Sequence, residues 1–288
     1  MSDFIRAVQN SPHIKSFTID RSKITLGICH IGVGNFHRAH LEYYTTLLLE
    51  KDHSQHNWAL FHNLQAQEGV YTVRACSCGE CEDQTYGIGS LVQLIDGVDH
   101  PEDLFNKIAD PSIKIVTMTI TEGGYNADNK IGQFKLDEPK VAADLNNPQH
   151  PTTAFGFLAE GLRRRMKHGK CPITILSCDN LQHNGRTCER AFTSFFKALD
   201  QALYDWVQQN CTFPNSMVDR ITLATKPEDI VRLNKLSVVE DKCPIYCETF
   251  IQWVQIKMGI PLNFKKPLII KYLFFNIYLI FWNLFYKI

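Results

Sequence analysis

Four short strings in this sequence combine glycine, amide and carboxylate residues in ways that could do chemistry. The first is Gly32-Val33-Gly34-Asn35-Phe36-His37-Arg38. Two glycines one residue apart let a chain turn sharply and bring main-chain N–H groups against a pyrophosphate. The third glycine of the usual dinucleotide fingerprint is absent and His37 stands in its place, so the string also fits a plain turn. The second string is Thr119-Ile120-Thr121-Glu122-Gly123-Gly124-Tyr125. Its glycines permit close approach of a ligand, and Glu122 can accept from a ribose or nicotinamide group. The third, Ser177-Cys178-Asp179-Asn180-Leu181-Gln182-His183-Asn184-Gly185, holds an amide, Asn180, that can donate to a developing oxyanion. Ser177, Asp179 and His183 are the types of a hydrolase triad, but there is no G-x-S-x-G elbow, and Asn184-Gly185 reads as a turn. The fourth, Phe213-Pro214-Asn215-Ser216-Met217-Val218-Asp219-Arg220, sets Asp219 beside Arg220. That pair is either a surface ion pair of little worth or, at a strand-end cleft, a carboxylate facing a polyhydroxylated substrate.

Chemistry of this kind needs strands to deliver the strings to one edge. Ile24 to Ile31 is an apolar run ending at the glycines, and Arg38 to Glu50 has helical apolar spacing. Strand, glycine turn and helix in that order open a doubly wound unit. Further strands are predicted at Tyr71–Cys76, Leu91–Ile95, Ile113–Ile120 and Ile173–Leu176. Helices are predicted at Pro101–Ala109, after Thr153 with Gly169 as a stop, and as one long helix over Arg186–Gln209. The expected fold class is α/β, a Rossmann-like open twisted sheet with flanking helices and extra strands. Residues 1–23 read as an N-terminal extension, 24–258 as the domain and 259–288 as an aberrant apolar tail.

The chain has 288 residues, 44% hydrophobic and 21% charged, with 30 basic and 30 acidic side chains. Those figures describe a globular body, and a net charge of zero offers no basic face for nucleic acid. The N-terminal stretch has no apolar core of signal-peptide length, so the ten cysteines read as reduced thiols in the cytoplasm. Cys78 and Cys81 have the spacing of half a zinc knuckle, but no second well-spaced pair follows nearby, and no metal is expected. From Pro261 onward the chain uses only Pro, Leu, Asn, Phe, Lys, Ile, Tyr and Trp. Leu268 to Tyr286 is long enough to be a candidate membrane anchor. Its residue types, mostly with A- and T-rich codons, fit translated non-coding sequence better. A membrane partner is expected only if that tail is genuine.

Taken in order, GVGNFHRAH, TITEGGY, LSCDNLQHNG, FPNSMVDRIT and CETFIQWV resemble the N-terminal domain of the mannitol dehydrogenase family of long-chain, zinc-independent polyol dehydrogenases. The similarity runs from about Ile24 to Val254 and is greatest to members interconverting mannitol and fructose with NAD. Fructuronate and tagaturonate reductases share the layout. The resemblance implies NAD as cofactor, held by Ile31, Gly32, Val33, Gly34, Asn35, Phe36, His37, Arg38, Ala39 and His40. It implies Glu122 near the nicotinamide end and Val218 lining the cofactor pocket. It makes Asn180 one of two asparagines stabilising the alkoxide and brings Asp219 to the hydroxyls of a polyol or ketose substrate.

Two departures qualify the resemblance. The family's general-base lysine, second asparagine and a histidine belong to a helical C-terminal domain, in a K-x-x-x-L-N-x-x-H-like motif. Lys265, Lys266, Lys271 and Lys287 lie in no such motif. The expectation is a chain truncated before that domain, with impaired activity. The alternative is a non-catalytic nucleotide-binding or membrane-anchored module. A dinucleotide site also wants a carboxylate about 20 residues beyond the glycines, after the second strand. Here Trp58 to Asn63 reads WALFHN, and this stretch is shorter than the family's by roughly ten residues. Glu50 and Asp52 come too early for that role and Glu68 too late.

Overall fold

The computed structural model describes residues 2–256 apart from 25, 33, 50–57, 77–82, 98, 127–133 and 170. Its strands are β1 (Ile28–Ile31), β2 (Tyr71–Cys76), β3 (Gln84–Ile88), β4 (Ile115–Met118), β5 (Ile173–Ser177), β6 (Cys211–Thr212), β7 (Asn215–Asp219), β8 (Ile245–Glu248) and β9 (Gln252–Ile256). The central sheet has the order β1-β4-β5-β6, and every neighbouring pair is parallel. A parallel sheet must be covered on both faces, and its strands are accordingly apolar throughout. Cys29, Val116, Met118, Ile173 and Ile175 face helices Ala154–Lys167 and Asn184–Leu199. Ile115 and Leu176 face the other way, against Leu41, Val218 and Trp253. Phe192, Phe195 and Phe196 are fully buried on the first face. Removing each from water contributes on the order of 2 kcal/mol.

Side chains decide where several elements begin and end. Thr153 accepts from Gly156 N and caps the helix Ala154–Lys167. From that helix Arg165, 1% exposed, donates to the carbonyls of Ile108, Asp110, Ile113, Cys171 and Pro172. Burial lowers its pKa. These carbonyls belong to the segments entering β4 and β5, so one guanidinium pins both strand starts.

A second sheet, β3-β2-β8, combines an antiparallel and a parallel pair. Residues 2–23 of the stretch read from the sequence as an extension are built onto it. Ile5 and Val8 of helix Asp3–Asn10 pack with Val70 and Val239, and Lys15 bridges to Tyr86. The third unit is the antiparallel ribbon β7–β9, which closes over the second face of the central sheet.

Two expectations are corrected. Leu91–Ile95 is not a strand, because Arg21 takes the carbonyls of Gly89 and Leu91 that a neighbouring strand would use. The long helix over Arg186–Gln209 is two helices, Asn184–Leu199 and Gln201–Asn210. Asp200 is extended (φ −160°, ψ 113°), and its carboxylate caps Ala202 N and Leu203 N. The segment from Trp58 to Ala66 is helical, and among the described residues β1 has a strand partner, β4, on one side only. In the usual doubly wound order the second strand lies on the other side. Cys78, Cys81 and the tail lie outside the described residues. No described helix is long and apolar enough to cross a membrane.

Candidate functional site

The glycine turn is locked to the end of β4. Gly32 has φ +99°, and a side chain there would place its Cβ 2.3 Å from the Thr119 carbonyl oxygen. Thr119 Oγ1 donates to the Gly32 carbonyl at 2.6 Å, and Thr119 N donates to the Ile31 carbonyl. Glycine is required here by both conformation and contact. Gly34 differs, since a Cβ there would meet nothing within 4 Å. That open space lies where a ligand's phosphates could approach the main chain. Val33, between the two, is outside the described residues.

Beneath the turn lies a buried polar stack. His30 contacts Thr117 Oγ1, Thr119 Oγ1 and the Gly32 carbonyl through its two ring nitrogens. His37 stacks on it with centroids 3.7 Å apart and places Nε2 3.2 Å from Glu42 Oε1. Glu42 in turn accepts from Ser90. Arg38 donates to the Cys243 carbonyl and to Asn35 Oδ1, and burial lowers its pKa. His40 meets the Gln252 carbonyl at 2.7 Å and stacks on Phe36, and burial pushes its pKa down to about 4. His37, Arg38, Ala39 and His40 are therefore interior side chains. Ile31, Gly32, Gly34, Asn35 and Phe36 keep some exposure.

Glu122 is exposed at the start of a short turn, Glu122–Tyr125, directly after β4. Asn180 is exposed in the loop after the neighbouring strand, β5. Asp179 joins these loops and Asn184 ties the second of them to β7, two residues that the sequence offered only as triad member and turn former. Asp179 accepts from Ile120 N, Thr121 N and Tyr125 OH. Asn184 donates to the carbonyls of Ser177 and Asp179, and its Oδ1 accepts from Ser216 N. Gly185 follows because a Cβ there would fall 2.3 Å from the Pro214 carbonyl. Neither tie could be read from spacing, since partners 59 and 32 residues apart meet only once the sheet has formed.

The fold thus gathers the glycine turn, Glu122 and Asn180 at the carboxyl ends of β1, β4 and β5, where open α/β sheets hold ligands. Val218 is a core residue, 2% exposed, packed with Leu41 and Trp253 beneath this edge. Asp219 is half-buried and paired with Gln252 of β9. It makes no ion pair with Arg220 among the described residues. Arg220 turns inward to the carbonyls of Glu248 and Ala39 and lies 4.5 Å over the Tyr43 ring. Glu68 lies elsewhere, accepting from Ser2 N, while Glu50 and Asp52 are outside the described residues. The eight cysteines described are free thiols, and no cluster of metal-ligating side chains occurs among the described residues.

Comparison with known proteins agrees with this fold. The mannitol dehydrogenase Rossmann domain matches residues 26–261. A polyol:NADP oxidoreductase of Gluconobacter oxydans is 39% identical over 82% of this chain and 50% of its own length. A mannitol 2-dehydrogenase of Phaeosphaeria nodorum is 37% identical over 82% of this chain and 43% of its own. The ternary complex of Pseudomonas fluorescens mannitol 2-dehydrogenase with NAD and D-mannitol superposes with a TM-score of 0.83 at 34% identity. That match covers 89% of this chain and 55% of the other. The chain spans about half the length of the curated relatives it matches. A matching domain profile, a shared Rossmann-like parallel sheet and this level of identity together establish that the chain belongs to the mannitol dehydrogenase family.

Proposed function

We propose that this chain binds NAD(H) over the carboxyl ends of β1, β4 and β5 and serves a polyol–ketose oxidoreduction, with mannitol and fructose as the pair. The observation that carries the reading is the glycine turn: Gly32 is forced against Thr119, while the space over Gly34 is open. Such a turn lets main-chain N–H groups approach a pyrophosphate without side-chain obstruction. In this reading Ile31 to Phe36 frame the dinucleotide, and His37 to His40 hold the frame from inside. Glu122 stands at the nicotinamide end, and Val218 backs the wall. NAD, when bound, supplies the hydride acceptor. Asn180 donates to the alkoxide oxygen, a contact of the kind worth about 3 kcal/mol in a transition state. Asp219 accepts from substrate hydroxyls. A cytoplasmic location is proposed on the free thiols.

A general base typically contributes 10²- to 10⁴-fold, on the order of 3–5 kcal/mol. The lysine motif that would supply it is not in this sequence. Calorimetric titration with NADH and NADPH, paired with a mannitol-dependent NAD reduction assay, tests both parts. The expected outcome is measurable dinucleotide binding with turnover at least 100-fold below the roughly 10 s⁻¹ of a typical enzyme. No heat of association with a folded sample would remove the dinucleotide reading. Ordinary turnover would show that these 288 residues supply a general base of their own.

A further inference from the structure

We propose that Asp179 is the positioning residue of this site, fixing the main chain that carries Glu122 against the loop that carries Asn180. The inference rests on the dinucleotide reading above and deepens it. Asp179 Oδ1 accepts from Thr121 N at 2.8 Å, and Oδ2 accepts from Ile120 N at 3.1 Å and from Tyr125 OH at 2.7 Å. All three donors belong to the segment after β4, whereas the carboxylate belongs to the segment after β5. Its neighbours in sequence are the two groups at stake: Glu122 follows Thr121, and Asn180 follows Asp179.

The contact does more than fill hydrogen-bonding capacity. Thr121 sits at φ +65°, ψ 167°, a conformation that a threonine keeps only when its surroundings impose it. The carboxylate grips the amides of Thr121 and of the residue before it, so it fixes the direction in which the chain leaves toward Glu122. Tyr125, fully buried at the far end of the turn, closes the loop onto the same oxygen. The phenol has one proton, and a carboxylate can only accept, so that proton goes to Asp179. Ser177 Oγ, 2.6 Å from the phenol oxygen, then donates to it. Asp179 is held in turn, since its own carbonyl accepts from Asn184 Nδ2. Asp179 is 8% exposed. The group thus spends its acceptors on main-chain and phenol donors. An asparagine there would offer one acceptor and turn a donor toward one of the two amides.

The test separates the nicotinamide end of the ligand from the rest. ADP-ribose carries the adenosine, pyrophosphate and ribose groups of NADH without the nicotinamide. Dissociation constants for NADH and for ADP-ribose are measured on the full chain and on Asp179→Asn and Tyr125→Phe, with thermal unfolding recorded alongside. Asp179→Asn is expected to weaken NADH about tenfold while ADP-ribose changes less than twofold, and to abolish the blue shift of bound NADH fluorescence. Tyr125→Phe leaves both main-chain bonds in place and is expected to move NADH about threefold in the same direction. If Asp179→Asn does not fold, Tyr125→Phe decides alone, and the same split between ligands supports the assignment. Equal weakening of both ligands, or no change in either, overturns it and leaves the dinucleotide reading standing. A folded wild-type chain that binds neither ligand overturns both.

Discussion

The glycine turn and its following helix, Asn35–Ala39, are gripped from beneath, whereas the loops after β4 and β5 are tied to each other across the sheet edge and the second is tied on to β7. The first grip uses an arginine and an imidazole that reach down to carbonyls at Cys243 and Gln252. The second uses a carboxylate and an amide that take up neighbouring main-chain groups. A buried imidazole holds its place as a neutral group and fails when it must carry charge. A set of main-chain hydrogen bonds has no such dependence on an imidazole. One edge of a sheet therefore combines a half held by a buried imidazole, sensitive to mild acid, with a half held without one.

The sharpest way to break that comparison is at Gly32, where the two halves touch. Gly32→Ala combines a left-handed backbone with a 2.3 Å clash against Thr119 and should cost roughly 3–5 kcal/mol. Gly34→Ala, facing open space, should cost under about 0.5 kcal/mol yet still lower NADH affinity. Urea unfolding and NADH titration of the two variants check this. Equal stability losses would deny that the halves are locked at Gly32.

Acid should loosen the first half next. The unfolded chain holds His40 at about 6.5, and burial holds it near 4 in the fold. Between those values the unfolded state binds the extra proton, so stability rises with pH across the window. It is complete above about 6.5 and falls away toward about 4, by on the order of 3 kcal/mol in full. Urea midpoints between pH 7 and 4.5 should show this slope, and His40→Gln should flatten it. An unchanged slope in that variant would move the sensitivity elsewhere.

The smallest effect concerns the second half. Asn184→Ala removes one donor from the carbonyls of Ser177 and Asp179 and the side-chain acceptor of Ser216 N, a loss of about 2 kcal/mol. Its urea midpoint should fall by a constant amount from pH 7 to 5. A loss that grows with acidity would erase the distinction between the two grips.

The strands carrying the site were legible because β1, β4 and β5 are short apolar runs rich in β-branched residues, each ending at glycine or polar residues. The glycine pair was legible for the same local reason. Arg21 was not, since nothing in Gly89-Ser90-Leu91 announces that a guanidinium from 70 residues earlier will replace a strand partner. Asp200 gives no signal in the sequence, because one carboxylate inside a long helical pattern is ordinary until its backbone turns extended. Asp179 and His183 have the residue types of a triad, but sequence shows that residues are near one another, not which way they face. His183 in fact starts a helix in a left-handed conformation, while Asp179 turns to the loop after β4.

Arg165 bolts down the opposite end of the sheet, where five carbonyls converge on one planar cation. A lysine has three donors on a single nitrogen and would leave at least two of those oxygens dry and unanswered. With its strand entrances cast around a fixed ion, the scaffold can let the exits exchange loops and ligands while the floor stays level.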